Sequence, residues 1–151
     1  MQEEKRQINE QQLIQMAQNE EQNLNNKTNI LEKLRNVLTE TLTAKEALNE
    51  LQKAKGKMQI AIGATILIEV EVANTKTCKR GFAENGFKEE SISDTLEWLT
   101  TKEEKIKKQL ETIAKDATAS EARLNDMVGI IKQIEAEKKR RQNQVPPTLS
   151  K

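Results

Sequence analysis

From Ile92 onward the chain holds a seven-residue period without a break. The fourteen successive a/d positions are Ile92, Leu96, Leu99, Glu103, Ile106, Leu110, Ile113, Ala117, Ser120, Leu124, Met127, Ile131, Ile134 and Lys138, and eleven of them are apolar. A globular helix drifts off such a repeat, because 3.6 residues per turn does not divide seven. A chain that keeps it must supercoil left-handed around a partner helix. Ser91 with Asp94 three residues on is a capping-box-like start, and Pro146-Pro147 is a stop. The second arm therefore runs from Ser91 to about Gln144.

The partner is encoded in the same chain. No proline or glycine falls between Gln2 and Lys55, and the a positions there are Glu10, Ala17, Leu24, Leu31, Leu38, Lys45 and Gln52. The d positions are Leu13, Glu20, Lys27, Leu34, Thr41 and Leu48, with Ile30, Val37, Ala44 and Leu51 widening the stripe. Such an arm, about 80 Å long at 1.5 Å per residue, is not stable alone with so polar a surface. Folded back antiparallel, with paired positions adding to 147 or 148, Leu48 meets Leu99, Leu38 meets Leu110, Leu34 meets Ile113, Leu24 meets Leu124 and Leu13 meets Ile134. The polar breaks meet as well: Lys45 faces Glu103, Glu10 faces Lys138 and Lys27 faces Ser120, while Glu20 faces Met127 without a partner. Opposite charges at matching breaks are what a register-specified hairpin produces.

Between the arms lie residues 56–90, too many for a turn. They hold four of the five glycines and the only run dense in β-branched residues. Alternation places Ile66, Ile68, Val70 and Val72 on one face and Glu69 and Glu71 on the other, the pattern of a half-buried strand. A reversal at Gly63-Ala64 pairs this strand with the short run Met58–Ile62. Asn85-Gly86 is a turn signal for a second hairpin, with Lys79-Arg80 interrupting its apolar alternation. Two hairpins are too small to be stable by themselves, and their unpaired edges call for strands from other subunits.

Composition agrees with narrow stripes rather than a deep core: 35% of the residues are hydrophobic, 32% charged and 2% aromatic. With 25 basic against 24 acidic residues the chain has no general attraction for nucleic acid or anionic membrane. Residues 1–10 are polar, so no signal peptide is expected, and no run approaches transmembrane length. One cysteine, Cys78, suits a reducing, cytoplasmic setting. Asn26-Lys27-Thr28 fits a glycosylation acceptor pattern that has little meaning without secretion. Catalysis is not expected: there is no His or Tyr, Cys78 has no imidazole to activate it, and Glu69 and Glu71 read as solvated strand residues. Metal ligands and a phosphate-binding glycine loop are missing from the sequence, so no cofactor is expected.

Several local motifs then resemble one family. Ile62-Gly63-Ala64 is similar to the Ile-Gly-Ala-Gly turn of prefoldin α-class subunits, with Thr65 in place of the second glycine. Gly86-Phe87, Glu90-Ser91-Ile92 and Leu96-Glu97-Trp98-Leu99 resemble that family's entry into its second arm. The third strand departs from the family's Val-rich run and Gly-Ser-Gly turn, reading Cys78-Lys79-Arg80-Gly81-Phe82-Ala83-Glu84. The connection length matches the two-hairpin α class rather than the one-hairpin β class. The resemblance implies a mainly α fold with a small β element: a long antiparallel coiled-coil hairpin whose helices are joined by two β-hairpins forming an oligomerisation hub. The whole chain is then one domain: arm 2–55, hub 56–90, arm 91–144 and tail 145–151.

The resemblance also implies partners: β-class prefoldin subunits in a hexamer of two α and four β chains, unfolded client proteins captured without ATP, and a group II chaperonin to which they are passed. The hub interface is expected at Ile60, Ile62, Ile66, Ile68, Val70, Val72, Phe82 and Phe87. Client contacts are expected near the arm ends, at Ile8, Leu13, Ile14 and Met16 and at Met127, Ile130, Ile131, Ile134, Val145 and Leu149. For Leu13, Ile131 and Ile134 the plainer expectation is closure of the seam. Ile8, Ile14, Met16 and Ile130 lie off it and suit adaptable binding of non-native chains. Two other functions compete: a coiled-coil scaffold or tether oligomerised through its β element, and a nucleic-acid-binding arm built on Lys138–Arg141. Glu135 and Glu137 beside that basic run favour a solvated helix end.

Overall fold

The computed structural model describes residues 9–144. In chain order they form α1 (Glu10–Lys53), β1 (Lys57–Gly63), β2 (Ile66–Glu71), β3 (Thr77–Ala83), β4 (Gly86–Ser91) and α2 (Ile92–Asn143). The chain divides into a terminal unit, Met1–Glu32 with Thr112–Lys151, and a central unit, Lys33–Glu111.

In the terminal unit α1 begins at Glu10 behind a reciprocal cap. Asn9 Oδ1 accepts from the Gln12 amide at 2.9 Å and Gln12 Oε1 accepts from the Asn9 amide at 3.1 Å. This cap satisfies orphan donors at the helix start. The expected arm began at Gln2, and residues 2–8 lie outside the described residues; an Asn-x-x-Gln box is inconspicuous among so many Asn and Gln. Leu13, Ala17, Leu31 and Ser120 are buried, and Leu24, Ala117, Leu124, Met127, Ile131 and Ile134 are half-buried. These are the a/d positions of both helices, so the heptad seam is what holds the unit together. Each fully buried Leu contributes about 2 kcal/mol.

Two of the expected polar meetings occur here. Lys27 Nζ donates to Ser120 Oγ at 2.6 Å, and Lys138 Nζ bonds Glu10 Oε2. The third needs correction. Glu20 is not left facing Met127 without a partner, because Arg123 binds its Oε1 through Nη2 at 2.7 Å and Nε at 3.2 Å. Arg123 stands in the column flanking the seam, and its long side chain reaches over to the carboxylate.

In the central unit Ile92, Leu99 and Ile106 are the buried apolar side chains of α2. Buried Thr41 on α1 satisfies its hydroxyl within its own helix, donating to Val37 O at 2.7 Å. Lys45 and Glu103, the remaining expected pair, meet at 2.6 Å. Helix α1 ends at Lys53, and the chain turns through Lys55 and Gly56, both at positive φ (43° and 89°). Gly56 O then accepts from the Val72 amide at 2.6 Å, which closes the base of the first hairpin.

That hairpin pairs β1 with β2 antiparallel. Met58 stands opposite Val70 and Ile60 opposite Ile68 on one face, with Lys57–Glu71 and Gln59–Glu69 on the other. A bulge between Ala61 and Gly63 precedes the turn, whose central residues are Ala64 (φ 47°) and Thr65 (φ 63°), one residue beyond the expected Gly63-Ala64. Two consecutive positive φ values give the turn the twist that antiparallel strands need.

The second hairpin pairs β3 with β4. Its turn is Glu84-Asn85 and Gly86 already belongs to β4, so the expected Asn85-Gly86 turn is also displaced by one residue. None of these three residues has a positive φ, so the left-handed freedom of Asn-Gly is not what this turn uses. Gly86 instead leaves room for the Phe82 ring to lie over it: a Cβ there would come within 2.8 Å of that ring, which would have to swing aside.

Candidate functional site

The hairpins present their apolar faces to solvent. Ile60, Ile62, Ile66, Ile68, Phe82 and Phe87 are all exposed, Phe87 to 71%, while Val70 and Val72 are half-buried toward the hairpin base. Exposed side chains of this size in strands of this β-propensity are a liability that monomers avoid. Leu67 is as bare as these, at 60% exposure, and was not among the expected interface residues. It stands opposite Ala61 on the face that carries Glu69 and Glu71, so the tip of the first hairpin is apolar on both sides. The continuous run Ile66-Leu67-Ile68 was the available signal, and strict alternation hid it.

The second hairpin is anchored to α2 through side chains. Cys78 Sγ lies 3.2 Å from the hydroxyl of buried Thr95, and the Arg80 guanidinium lies 4.5 Å from the centre of the Trp98 ring. Arg80 Nε also donates to Glu90 Oε1 at 2.7 Å. Lys79 stands directly opposite Glu89 in the ladder. Of the two basic residues that interrupt the alternation, Arg80 is thus matched within its own hairpin and on α2, and Lys79 faces an acidic residue across the ladder. The connection into β3 is tied as well, since Asn74 Oδ1 accepts from the amides of Lys76 and Thr77 and Lys76 O accepts from the Ile92 amide. Ser91 caps α2 by accepting from the Asp94 amide at 3.1 Å, but Asp94 does not complete a reciprocal box.

The arm residues separate into two sets. Leu13 is buried in the seam, and Met127, Ile131 and Ile134 are half-buried along it. Ile14, Met16 and Ile130 are exposed on its flanks. Ile8, Val145 and Leu149 lie outside the described residues. Of the basic run, Lys138 is bonded to Glu10.

Two carboxylates are held below their ordinary value of 4.5. Hydrogen bonds from Lys107 and Lys45 bring Glu103 to about 2. Glu20 is lowered chiefly by its hydrogen bonds to Arg123 and then Ser120. Both belong to ion pairs along the seam. Among the described residues no group of acidic, His or Cys side chains could hold a metal ion, and no helix is long and apolar enough to cross a membrane.

Comparison with curated proteins returns no match. The family model described as "Prefoldin subunit" matches residues 7–142, nearly the whole chain, including both helices and both hairpins. The chain therefore belongs to the prefoldin family, non-enzymatic chaperone-related subunits that oligomerise with other prefoldin subunits.

Proposed function

We propose that this chain is an α-class subunit of a hexamer of two α and four β chains. In that assembly it acts as an ATP-independent holdase in the cytoplasm, capturing unfolded polypeptides and delivering them to a group II chaperonin. The carrying observation is a division of apolar surface: the seams of both units bury theirs, whereas the hairpins and the flanks of the terminal unit do not. The two hairpins favour the α class. Their bare faces at Ile60, Ile62, Ile66, Ile68, Leu67, Phe82 and Phe87 would be covered by strands of β-class subunits. Ile14, Met16 and Ile130 are placed to touch clients, joined by the half-buried Met127, Ile131 and Ile134 where the seam is thinnest. Single contacts of this kind are weak, so capture draws on several arms at once.

The test is native mass spectrometry of the chain with a β-class prefoldin subunit, followed by aggregation suppression of a denatured client. A discrete complex of two α and four β chains is expected. The variant Ile14→Ser/Met16→Ser/Ile130→Ser should assemble normally and lose most of its suppression. Unchanged suppression would remove the client site from these flanks. Self-association alone, with the β-class subunit present, would put a scaffold or tether in place of the holdase.

A further inference from the structure

The terminal unit contains a polar cluster that neither assembly nor the proposed flank contacts use. Ser120 is fully buried at a seam position. Its Oγ accepts from Lys27 Nζ at 2.6 Å and from Arg123 Nη2 at 3.1 Å. Arg123 in turn holds Glu20 Oε1 with two nitrogens, and Lys27 Nζ reaches the Asp116 carbonyl at 3.4 Å. Two cations, one from each helix, thus converge on a single hydroxyl, and Arg123 links it to the Glu20 carboxylate on α1. A second interhelical ion pair, Glu10–Lys138, lies in the same unit.

The apolar seam around these links is thin. Among the seven a/d positions of α1 from Glu10 to Leu31, only Leu13, Leu24 and Leu31 carry a large apolar side chain; the others are Glu10, Ala17, Glu20 and Lys27. Closure of the two helices here depends on electrostatic links more than a uniform leucine seam would. Those links are open to solvent ions from one side, since Arg123 and Lys138 side chains are 53% and 59% exposed. Pairs with one exposed partner lose attraction as the Debye length contracts from about 10 Å at 0.1 M salt toward 3 Å at 1 M.

We propose that Glu20, Lys27, Ser120 and Arg123, with the Glu10–Lys138 pair, form an ionic-strength-responsive clasp. It holds the two helices of the terminal unit together at low salt and lets them part locally as salt rises. The relevant charges on α1 are Glu10, Glu20 and Lys27, and those on α2 are Arg123 and Lys138. Its regulatory consequence rests on the proposed client site: Met127, Ile131 and Ile134 share the seam, so client capture would strengthen with salt. Capture through ionic contacts would weaken instead.

The experiment is amide hydrogen exchange on the full chain in its assembled oligomer, at about 0.05 M and about 0.5 M KCl. Protection in residues 10–32 and 112–143 should fall on the order of tenfold at the higher salt, the combined effect expected of several partly exposed pairs. In Glu20→Leu/Lys27→Leu/Ser120→Leu, which completes an apolar seam, protection should rise and the salt response largely disappear. Ser120→Ala, which removes only the hydroxyl, should already lower protection at low salt. An equal salt response in wild type and the triple variant, or none in wild type, overturns the clasp. A salt response in exchange without a gain in client capture leaves the clasp standing and removes the seam from the client site.

Discussion

Lys45 Nζ lies 2.6 Å from Glu103 Oε2, joining two charged residues at seam positions that a coiled coil ordinarily gives to leucine or isoleucine. Both side chains are largely covered, and Glu103 Oε1 takes a second cation, Lys107, at 2.5 Å. Replacing Glu103 leaves Lys45 half-buried without its match, whereas replacing Lys45 leaves Glu103 with Lys107 alone. Replacing both with apolar residues restores a continuous seam.

This arrangement sets a pH signature. Glu103 has its value lowered from 4.5 to about 2 by Lys107 and Lys45. A depressed carboxylate contributes stability that is fully present above its unfolded value and is lost as pH falls through its folded value. The difference in melting temperature between wild type and Glu103→Gln should therefore be constant above about pH 5 and shrink between 4.5 and about 2. Taking the difference cancels the other carboxylates. A gap that persists at pH 2, or closes already near neutrality, would show that the pairing does not stabilise the seam in this way.

Thr65 occupies the second left-handed position of the first hairpin turn, at φ 63°. A β-branched side chain is a poor occupant there, because its Cβ crowds the backbone at positive φ. Its hydroxyl bonds only the adjacent Ala64 carbonyl, at 2.6 Å. Thr65→Gly should stabilise the hairpin by about 1 kcal/mol, after the entropy cost of the added glycine is set against the relieved strain. Thermal unfolding of the assembled oligomer reads this directly; a lower midpoint would mean that the turn is not strained.

The heptad reading carried most of the fold because a coiled-coil seam depends on side-chain period alone. Every a/d position of α2 from Ile92 to Ile134 is buried or half-buried. The register followed from Lys45–Glu103, Lys27–Ser120 and Glu10–Lys138, whose numbers admit one alignment of the arms. Glu20 escaped because its partner Arg123 lies outside the seam columns, and only side-chain length connects the two. Both turns were displaced by one residue because bulges before them, between Ala61 and Gly63 and between Gly81 and Ala83, depend on local backbone geometry. The apolar face of the first hairpin was legible through alternation, and Leu67 was not, since its exposure reflects a hairpin bare on both sides at its tip.

Gly86 and Gly81 make a matched pair of tests in the second hairpin. A methyl on Gly86 would meet Phe82 Cζ at 2.8 Å, whereas one on Gly81 would stand 3.7 Å from Phe87 Cε1, an ordinary contact. Phe82 is 65% exposed, so its ring can swing away and the backbone need not move. Gly86→Ala should cost the hairpin no more than about 1 kcal/mol while displacing an aromatic of the proposed interface, so its main effect should be weaker oligomer assembly. Gly81→Ala should assemble as wild type does. Equal assembly of the two variants, measured by sedimentation, would remove Phe82 from the interface.

Trp98 is the only tryptophan in the chain, and the Arg80 guanidinium covers its ring at 4.5 Å, with Lys102 Nζ at 5.1 Å. The same guanidinium bonds Glu90, so one side chain ties β3 to β4 and both to the first turns of α2. Arg80→Ala should uncover the indole, shift its emission to the red, and cost about 1 kcal/mol through the lost cation–π contact and ion pair. Arg80→Lys keeps the charge but loses the planar stack and the fork that reaches Glu90, so it should fall between the two. Hydrogen exchange should quicken across residues 77–91 in the same order, because Cys78–Thr95 alone would then hold the hairpin's side chains to the helix. If Trp98 emission is unchanged in Arg80→Ala, the stack is not what seats the second hairpin, and the Lys76–Ile92 backbone bond must carry that task.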